Sequence, residues 1–176
     1  MKRSISRSRG RKTASRSSGS TSNAKGYALR LLGVRGRSER ELRERLKRKG
    51  FDEDAVTEAV AAVKELGLVD DEALAKELVS YGACTKGLGT AGITALLRRR
   101  GIPEEIIGSS GIIDELDELD EYRCAEELAG RKARLYKDLP AEKARRRLYG
   151  VLKRRGHSSE TIKRVLDGVM EDWRGA

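Results

Sequence analysis

The sequence predicts an all-α protein of three tandem three-helix repeats that stack into an elongated, curved helical array. One pattern occurs three times: apolar residues lie eight and four positions before a glycine, and three basic residues come directly before it. The glycines are Gly50, Gly101 and Gly156, spaced 51 and 55 residues apart. Self-similarity at such a period indicates one supersecondary unit copied along the chain. Because three short helices cannot bury their apolar stripes alone, neighbouring units are expected to stack.

Composition supports this fold class and argues against several functions. Aromatic residues make up only 4% of the chain, which suits packed helices better than a base-stacking platform. No apolar run approaches the ~18 residues of a membrane span, so we predict a soluble, cytoplasmic protein without membrane contact. Cys84 and Cys124 match no metal-site spacing and no disulfide framework, and both are expected to be small buried residues.

The predicted organisation is a tail over 1–25 followed by repeats over 26–69, 70–120 and 121–176. The tail carries eight basic residues and no acid, and it is predicted to be disordered because it offers little apolar surface to bury. Of the net charge of +10, only +2 remains for 26–176. A transit peptide has a similar Arg- and Ser-rich composition, but the tail lacks an amphipathic apolar face.

Capping signals delimit the helices of the first repeat. A short helix is predicted around Tyr27. The capping box S-x-x-E that begins at Ser38 starts the second helix, and Gly50 ends it in a left-handed cap. Asp52 is the predicted N-cap of the third helix, which ends at Gly67.

The second repeat is predicted to open at 70–72, where acidic residues suit a helix N-terminus. A glycine-rich loop over 86–89 leads to the second helix, which ends at Gly101. Pro103 then occupies a first helical position, where its missing N–H is harmless. A break or kink is predicted over 108–111, with the helix resuming beyond it.

The third repeat is predicted to start near Tyr122, with Leu128 and Leu135 on the inner face of its first helix. Pro140 opens the next helix, and Ser158 caps the last one. The complete prediction is nine helices and no strand.

Two features that could indicate chemistry are interpreted as structural. Residues 87–92 match G-x-G-x-x-G, but a dinucleotide site needs a strand before this motif and the pattern here predicts a helix. His157 is the only histidine, so a catalytic triad or a His-rich metal site is not expected, and we predict that it packs at a helix end. We predict no enzyme activity, no catalytic residue, no metal and no cofactor.

Charge is strongly segregated along the predicted repeats. Residues 102–127 hold ten acids and one base, whereas 131–155 hold eleven bases and two acids. Basic residues at helix ends can be solvated complements of the helix dipole, or they can form spaced contacts for a polyanion or an acidic protein surface. The candidate partner-binding residues are Arg43, Lys47, Arg48, Arg98, Arg99, Arg146, Lys153 and Arg154.

Three segments resemble the RecX family, regulators of the RecA recombinase. The first is S-E-R-E-L-R-E-R-L-K-R-K-G-F over 38–51, and the second is L-G-L-V-D-D-E-A-L-A over 66–75. The third extends over 145–158. The segment 85–97 departs from the family pattern, because it carries a single base where the family is usually more basic.

The resemblance implies tandem three-helix repeats, and a protein that binds the groove of RecA filaments on single-stranded DNA. It also implies a non-catalytic modulator, usually an inhibitor, that regulates recombination and DNA repair. We expect a monomer. The alternative is a direct DNA-binding helical module, with DNA contacts through the basic tail and the helix ends.

Overall fold

The structure is a computed structural model that describes residues 14–108 and 118–174. This part of the chain forms nine α-helices and no strand, which confirms the predicted all-α class. A π-helical turn over Tyr81–Thr85 continues the fourth helix, and a 3₁₀ turn over Arg134–Tyr136 continues the seventh. The helices are α1 (Ala14–Leu32), α2 (Glu39–Lys49), α3 (Glu53–Glu65), α4 (Asp71–Ser80), α5 (Thr90–Arg99), α6 (Glu104–Gly108), α7 (Glu118–Ala133), α8 (Ala141–Arg154) and α9 (Ser159–Arg174).

The chain divides into two compact units, residues 1–70 and 71–176. The first unit contains α1–α3, and the second contains α4–α9. Each predicted repeat has its own buried cluster, and the largest fully buried side chains are aliphatic residues at helical spacing. Burial of each such Leu, Ile or Val stabilises the fold by about 1.5–3 kcal/mol. These include Leu42, Leu46, Val56, Val60, Ile93, Leu97, Leu148, Leu152 and Ile162.

The predicted helix caps are confirmed. Ser38 Oγ accepts from the Glu41 backbone N–H at 3.1 Å, and Asp52 Oδ1 accepts from the Ala55 N–H at 2.8 Å. Ser158 Oγ accepts from the Thr161 N–H at 3.0 Å. The repeated glycines all adopt left-handed backbone, with φ of +97°, +74° and +82° at Gly50, Gly101 and Gly156. Each therefore ends the second helix of its repeat as predicted.

The tail prediction over 1–25 needs a correction, because α1 begins at Ala14. Ala24 and Ala28 are fully buried in the same cluster as Val56 of α3. Small side chains let α1 pack closely on α3, and Thr21 Oγ1 donates to Glu58 Oε2 at 2.9 Å. Tertiary packing thus orders a segment whose composition alone predicts disorder. Residues 1–13 lie outside the described residues.

Three details of the second unit differ from expectation. Cys84 is exposed, because its neighbours Gly82 and Ala83 occupy the buried side of the π-helical turn. Cys124 is half-buried against the cluster of the second repeat. Leu135 is 70% exposed, because the 3₁₀ turn interrupts the α-helical period that predicted it inside. The break predicted over 108–111 begins where α6 ends, and residues 109–117 lie outside the described residues.

Candidate partner-binding site

The predicted basic residues of the first repeat are paired within that repeat. Lys47 Nζ lies 2.8 Å from Glu53 Oε2, and the Arg43 guanidinium lies 2.9 Å from Glu39 Oε1. Arg48 Nε donates to the Glu44 carbonyl oxygen at 3.3 Å, and its guanidinium also approaches that residue's carboxylate. A partner for these cations would therefore have to replace existing contacts.

In the second repeat, Arg98 makes a two-pronged contact with Glu104, at 2.7 and 3.0 Å. Hydrogen bonding to this carboxylate raises the pKa of Arg98, and the same contact lowers the pKa of Glu104. Both side chains are solvent-exposed, so the pair adds little stability. Arg99 is exposed and makes no ion pair within the described residues.

The third repeat differs from the other two. Arg146, Lys153 and Arg154 are exposed, and none pairs with a carboxylate in the described part of the chain. They extend along α8, where residues three, four or seven positions apart share a face. We call this surface the α8 basic face; its residues are Lys143, Arg146, Arg147, Lys153 and Arg154.

The sequence around the capping glycine explains why Lys153 of the third repeat has no carboxylate partner. The cation three positions before the capping glycine pairs with a glutamate three positions after it, as in Lys47–Glu53 and Arg98–Glu104. In the third repeat the same positions hold Lys153 and a serine, Ser159. This difference is visible in the sequence, but the pairing it removes becomes evident only when the structure shows the other two pairs.

A groove of about 750 Å³ adjoins the α8 basic face, between α8 and α9. Its floor includes the buried residues Ile162 and Leu166, and the half-exposed ring of Tyr149 lies at its edge. Arg145 is tied to Asp167 at 2.9 Å, which leaves Arg146 as an unpaired arginine of the lining. The groove thus combines apolar surface with available positive charge. Its lining is Glu142, Lys143, Arg145, Arg146, Tyr149, Ser159, Ile162, Lys163 and Leu166.

Three family models match consecutive parts of the chain. They are described as RecX, first three-helix domain (24–61), second three-helix domain (70–109) and third three-helix domain (119–166). A curated protein of Mycobacterium sp. strain JLS, named regulatory protein RecX, is 38% identical over 139 residues, which cover 77% of this chain and 75% of that protein. The chain belongs to the RecX family.

Other relatives agree with this assignment. Regulatory protein RecX of Chlorobaculum tepidum is 34% identical over 152 residues, covering 86% of this chain and 91% of that protein. The crystal structure of RecX from Lactobacillus salivarius superposes with a TM-score of 0.72 at 20% identity, covering 86% of this chain and 97% of that one. A second RecX crystal structure gives 0.78 at 22% identity, covering 95% and 83%. The names of the relatives support a regulatory role, and the solved structures confirm the fold of three-helix domains.

The family models fall on the helices described above. The first covers α2 and most of α3, together with the end of α1; the second covers α4–α6, and the third covers α7, α8 and half of α9. The α8 basic face therefore belongs to the third RecX domain. No helix in the described part of the chain is long and apolar enough to cross a membrane.

The glycine motif over 87–92 forms a tight seam between the second and third RecX domains. The Gly89 N–H donates to the Arg155 carbonyl oxygen at 3.0 Å, and the Ala91 N–H donates to the Gly156 carbonyl oxygen at 3.2 Å. A Cβ atom added at Gly92 would lie 2.2 Å from the Arg155 carbonyl oxygen. The glycines are thus needed for close backbone approach. Residues 87–89 form a loop as predicted and 90–92 begin α5, and the element before the motif is a helix rather than a strand.

His157 is part of the same seam and is only 3% exposed. Its Nε2 lies 3.1 Å from the Gly87 carbonyl oxygen, so Nε2 carries the proton that it donates. Its Nδ1 faces Glu121 Oε1 at 3.5 Å, and Thr90 Oγ1 donates to the other oxygen of that carboxylate at 3.2 Å. The prediction that His157 packs at a helix end is confirmed. Its hydrogen bond to the second domain could not be predicted from sequence. In the described residues, no group of three His, Cys, Asp or Glu side chains could hold a metal.

Proposed function

We propose that this protein binds RecA filaments on single-stranded DNA and inhibits RecA, without catalytic activity of its own. In this proposal it acts in the cytoplasm as a monomer, and it regulates recombination and DNA repair. Its membership of the RecX family supports the choice of partner. The α8 basic face supports the choice of surface, because three of the four predicted cations that lack a carboxylate partner, Arg146, Lys153 and Arg154, lie on it.

Because these cations are unpaired, the third repeat contributes most to binding of the filament. An unpaired cation can meet an anionic partner after losing only part of its hydration. A paired cation such as Lys47, at 2.8 Å from Glu53, must first give up its own carboxylate. The eight predicted residues are therefore unequal: Arg146, Lys153 and Arg154 carry the contact, and Arg43, Lys47, Arg48 and Arg98 contribute little. Arg99, exposed and unpaired, is a secondary contact.

The test compares two charge reversals of equal size. Lys153→Glu/Arg154→Glu should weaken binding to RecA filaments on single-stranded DNA by at least about tenfold, since like charges across an interface cost more than lost contacts. Lys47→Glu/Arg48→Glu changes the net charge equally and should have a much smaller effect. Fluorescence anisotropy of labelled protein measures both affinities. Equal losses of affinity would show that binding depends on net charge alone. Normal binding by both variants would exclude the basic helix ends as the binding surface.

Direct DNA binding is a second candidate, favoured by the same unpaired cations on α8. On single-stranded DNA the slope of log K against log salt would then be about −0.7 for each phosphate contacted. Deletion of residues 1–13 tests the tail's part in DNA binding, because it removes six of the tail's basic residues and leaves the packed part of α1 intact. Loss of all effect on RecA would favour DNA binding by the tail, and retained inhibition would favour contact with the filament.

A further inference from the structure

A second basic site lies in the unit that contains α4–α9, and none of its residues belongs to the predicted partner-binding set. It is an open cavity of about 430 Å³, formed where the π-helical turn, the end of α7 and the end of α8 meet. Four of its seven lining residues are cationic, and none is acidic. The lining is Thr85, Lys86, Leu128, Arg131, Lys132, Leu135 and Arg155.

The four cations come from three helix ends and are held in different ways. The Arg155 guanidinium donates to the Lys86 carbonyl oxygen, which fixes its position across the seam between the two domains. The Lys86 ammonium lies 5.3 Å from the centre of the Tyr81 ring. Arg131 and Lys132, in the last turn of α7, make no ion pair within the described residues. In the described part of the chain, no carboxylate thus makes an ion pair with any of these four cations.

Complementing helix dipoles does not account for four cations at this place. A helix C-terminus carries roughly half a negative charge. Even three such ends would offset less than half of four positive charges. The excess is unfavourable in the free protein, since like charges repel, and a bound anion would relieve it. The buried side chain of Leu128 forms an apolar wall on one side of the cluster, where it limits access of water and so strengthens the attraction for an anion.

We propose that this site binds a phosphate-bearing anion. Arginine presents a planar fork that matches phosphate oxygens, and Arg155 is already oriented by its contact with the Lys86 carbonyl. The lining contains no aromatic ring on which a base could stack, so recognition is of the phosphate group itself. The phosphate can come from a free diphosphate or from the backbone of single-stranded nucleic acid. Binding of phosphate from either source does not require the α8 basic face.

The test titrates the full chain with inorganic pyrophosphate, with sodium chloride used to hold ionic strength constant. Calorimetry measures affinity, and NMR amide shifts locate the site. We expect saturable binding with shifts around Lys86 and Arg131. Arg131→Gln should weaken it about tenfold, because one charge-assisted contact is lost. Arg123→Gln is the matched control: it is an exposed arginine on the same helix and changes the charge equally.

The double variant Lys86→Gln/Arg131→Gln should abolish saturable binding while its circular dichroism stays that of the parent. A second arm adds an oligothymidylate to the pyrophosphate complex. Displacement of pyrophosphate identifies nucleic-acid phosphate as a source, and undisturbed binding identifies a free anion. Equal effects of Arg123→Gln and Arg131→Gln would overturn the proposal, because attraction would then be non-specific. Absence of saturable binding by both pyrophosphate and oligothymidylate would overturn it as well.

Discussion

Replacement of Gly92 by alanine tests the backbone seam between the second and third RecX domains. Gly92 lies inside α5, where helix propensity alone would make alanine more stable by about 1 kcal/mol. However, the new Cβ would lie 2.2 Å from the Arg155 carbonyl oxygen and 3.1 Å from its carbonyl carbon. Both neighbours are backbone atoms, so relief requires the two domains to separate by about 1 Å, to the usual C···O distance of roughly 3.3 Å.

Separation by that distance has an energetic cost that can be assembled from the contacts. It weakens the hydrogen bonds from Gly89 to Arg155 and from Ala91 to Gly156, each worth about 0.5–1.5 kcal/mol. Overpacking adds about 1–3 kcal/mol. After the propensity gain is subtracted, we expect a net destabilisation of about 3 kcal/mol. This is a large part of the stability of an ordinary domain, which is about 5–15 kcal/mol.

Urea denaturation followed by circular dichroism measures the effect. With a slope of about 2 kcal/mol per molar, the midpoint should fall by roughly 1.5 M. Gly130→Ala is the matched control, because it also lies in a helix of the same unit and its Cβ would have no neighbour within 4 Å. It should leave the midpoint unchanged or raise it. Equal or higher stability of Gly92→Ala would refute the close approach at the seam.

Three further substitutions test local features. The hydrogen bond and charge of Lys64 lower the pKa of Glu39 in the folded protein. This pair therefore stabilises the fold at pH values above the pKa of Glu39 in the unfolded chain. The stabilisation is lost as the pH falls through the lower pKa of the folded state. When the pH is lowered from 7 to 3, Glu39→Gln should therefore lose less stability than the parent, by up to about 1 kcal/mol in urea titrations. Identical losses would contradict the stabilising role of the Glu39–Lys64 pair. Ser38→Ala removes the N-cap of α2 and should cost about 1 kcal/mol in thermal unfolding; an unchanged Tm would argue against the cap. His157→Leu leaves the Gly87 carbonyl without its donor and should cost about 2 kcal/mol, whereas His157→Gln, which can still donate, should cost less; the reverse order would contradict the hydrogen bond.

Features set by short-range chemistry were predictable from the sequence. The left-handed caps at Gly50, Gly101 and Gly156 depend on the absence of a side chain and on the residues just before them. The serine and aspartate N-caps likewise satisfy backbone donors only three residues away. Such interactions are complete within one turn of helix, so a repeated pattern reports them directly.

Features set by packing between distant segments were not predictable. The helical conformation of the end of the predicted tail is stabilised by burial of Ala24 against α3, which composition does not reveal. The 3₁₀ turn after α7 moved Leu135 to the surface, and the π-helical turn after α4 left Cys84 exposed. In each case a contact or an irregular turn outside the local pattern decided the outcome.

In the candidate site, too, the local pattern was predictable and the contacts of the side chains were not. The sequence identified the three basic helix ends, but it did not show which cations were already paired. Pairing of Lys47 and Arg98 depends on a glutamate on the other side of the capping glycine, Glu53 or Glu104, and the third repeat has Ser159 at that position. The eight predicted residues therefore share one sequence pattern, but four of them are paired with carboxylates and four are not.

Restoration of the missing pair in the third repeat tests the central claim most directly. Ser159→Glu places a carboxylate where it can meet Lys153, at the start of α9, where the helix dipole favours an acid. The measurement is RecA's single-stranded-DNA-dependent ATPase, titrated with the parent protein, Ser159→Glu and the neutral control Ser159→Gln. We expect the parent and Ser159→Gln to inhibit at stoichiometric levels, and Ser159→Glu to require several-fold more protein. Equal inhibition by all three would contradict the role of the unpaired α8 cations, and no inhibition by the parent would contradict the proposed function itself.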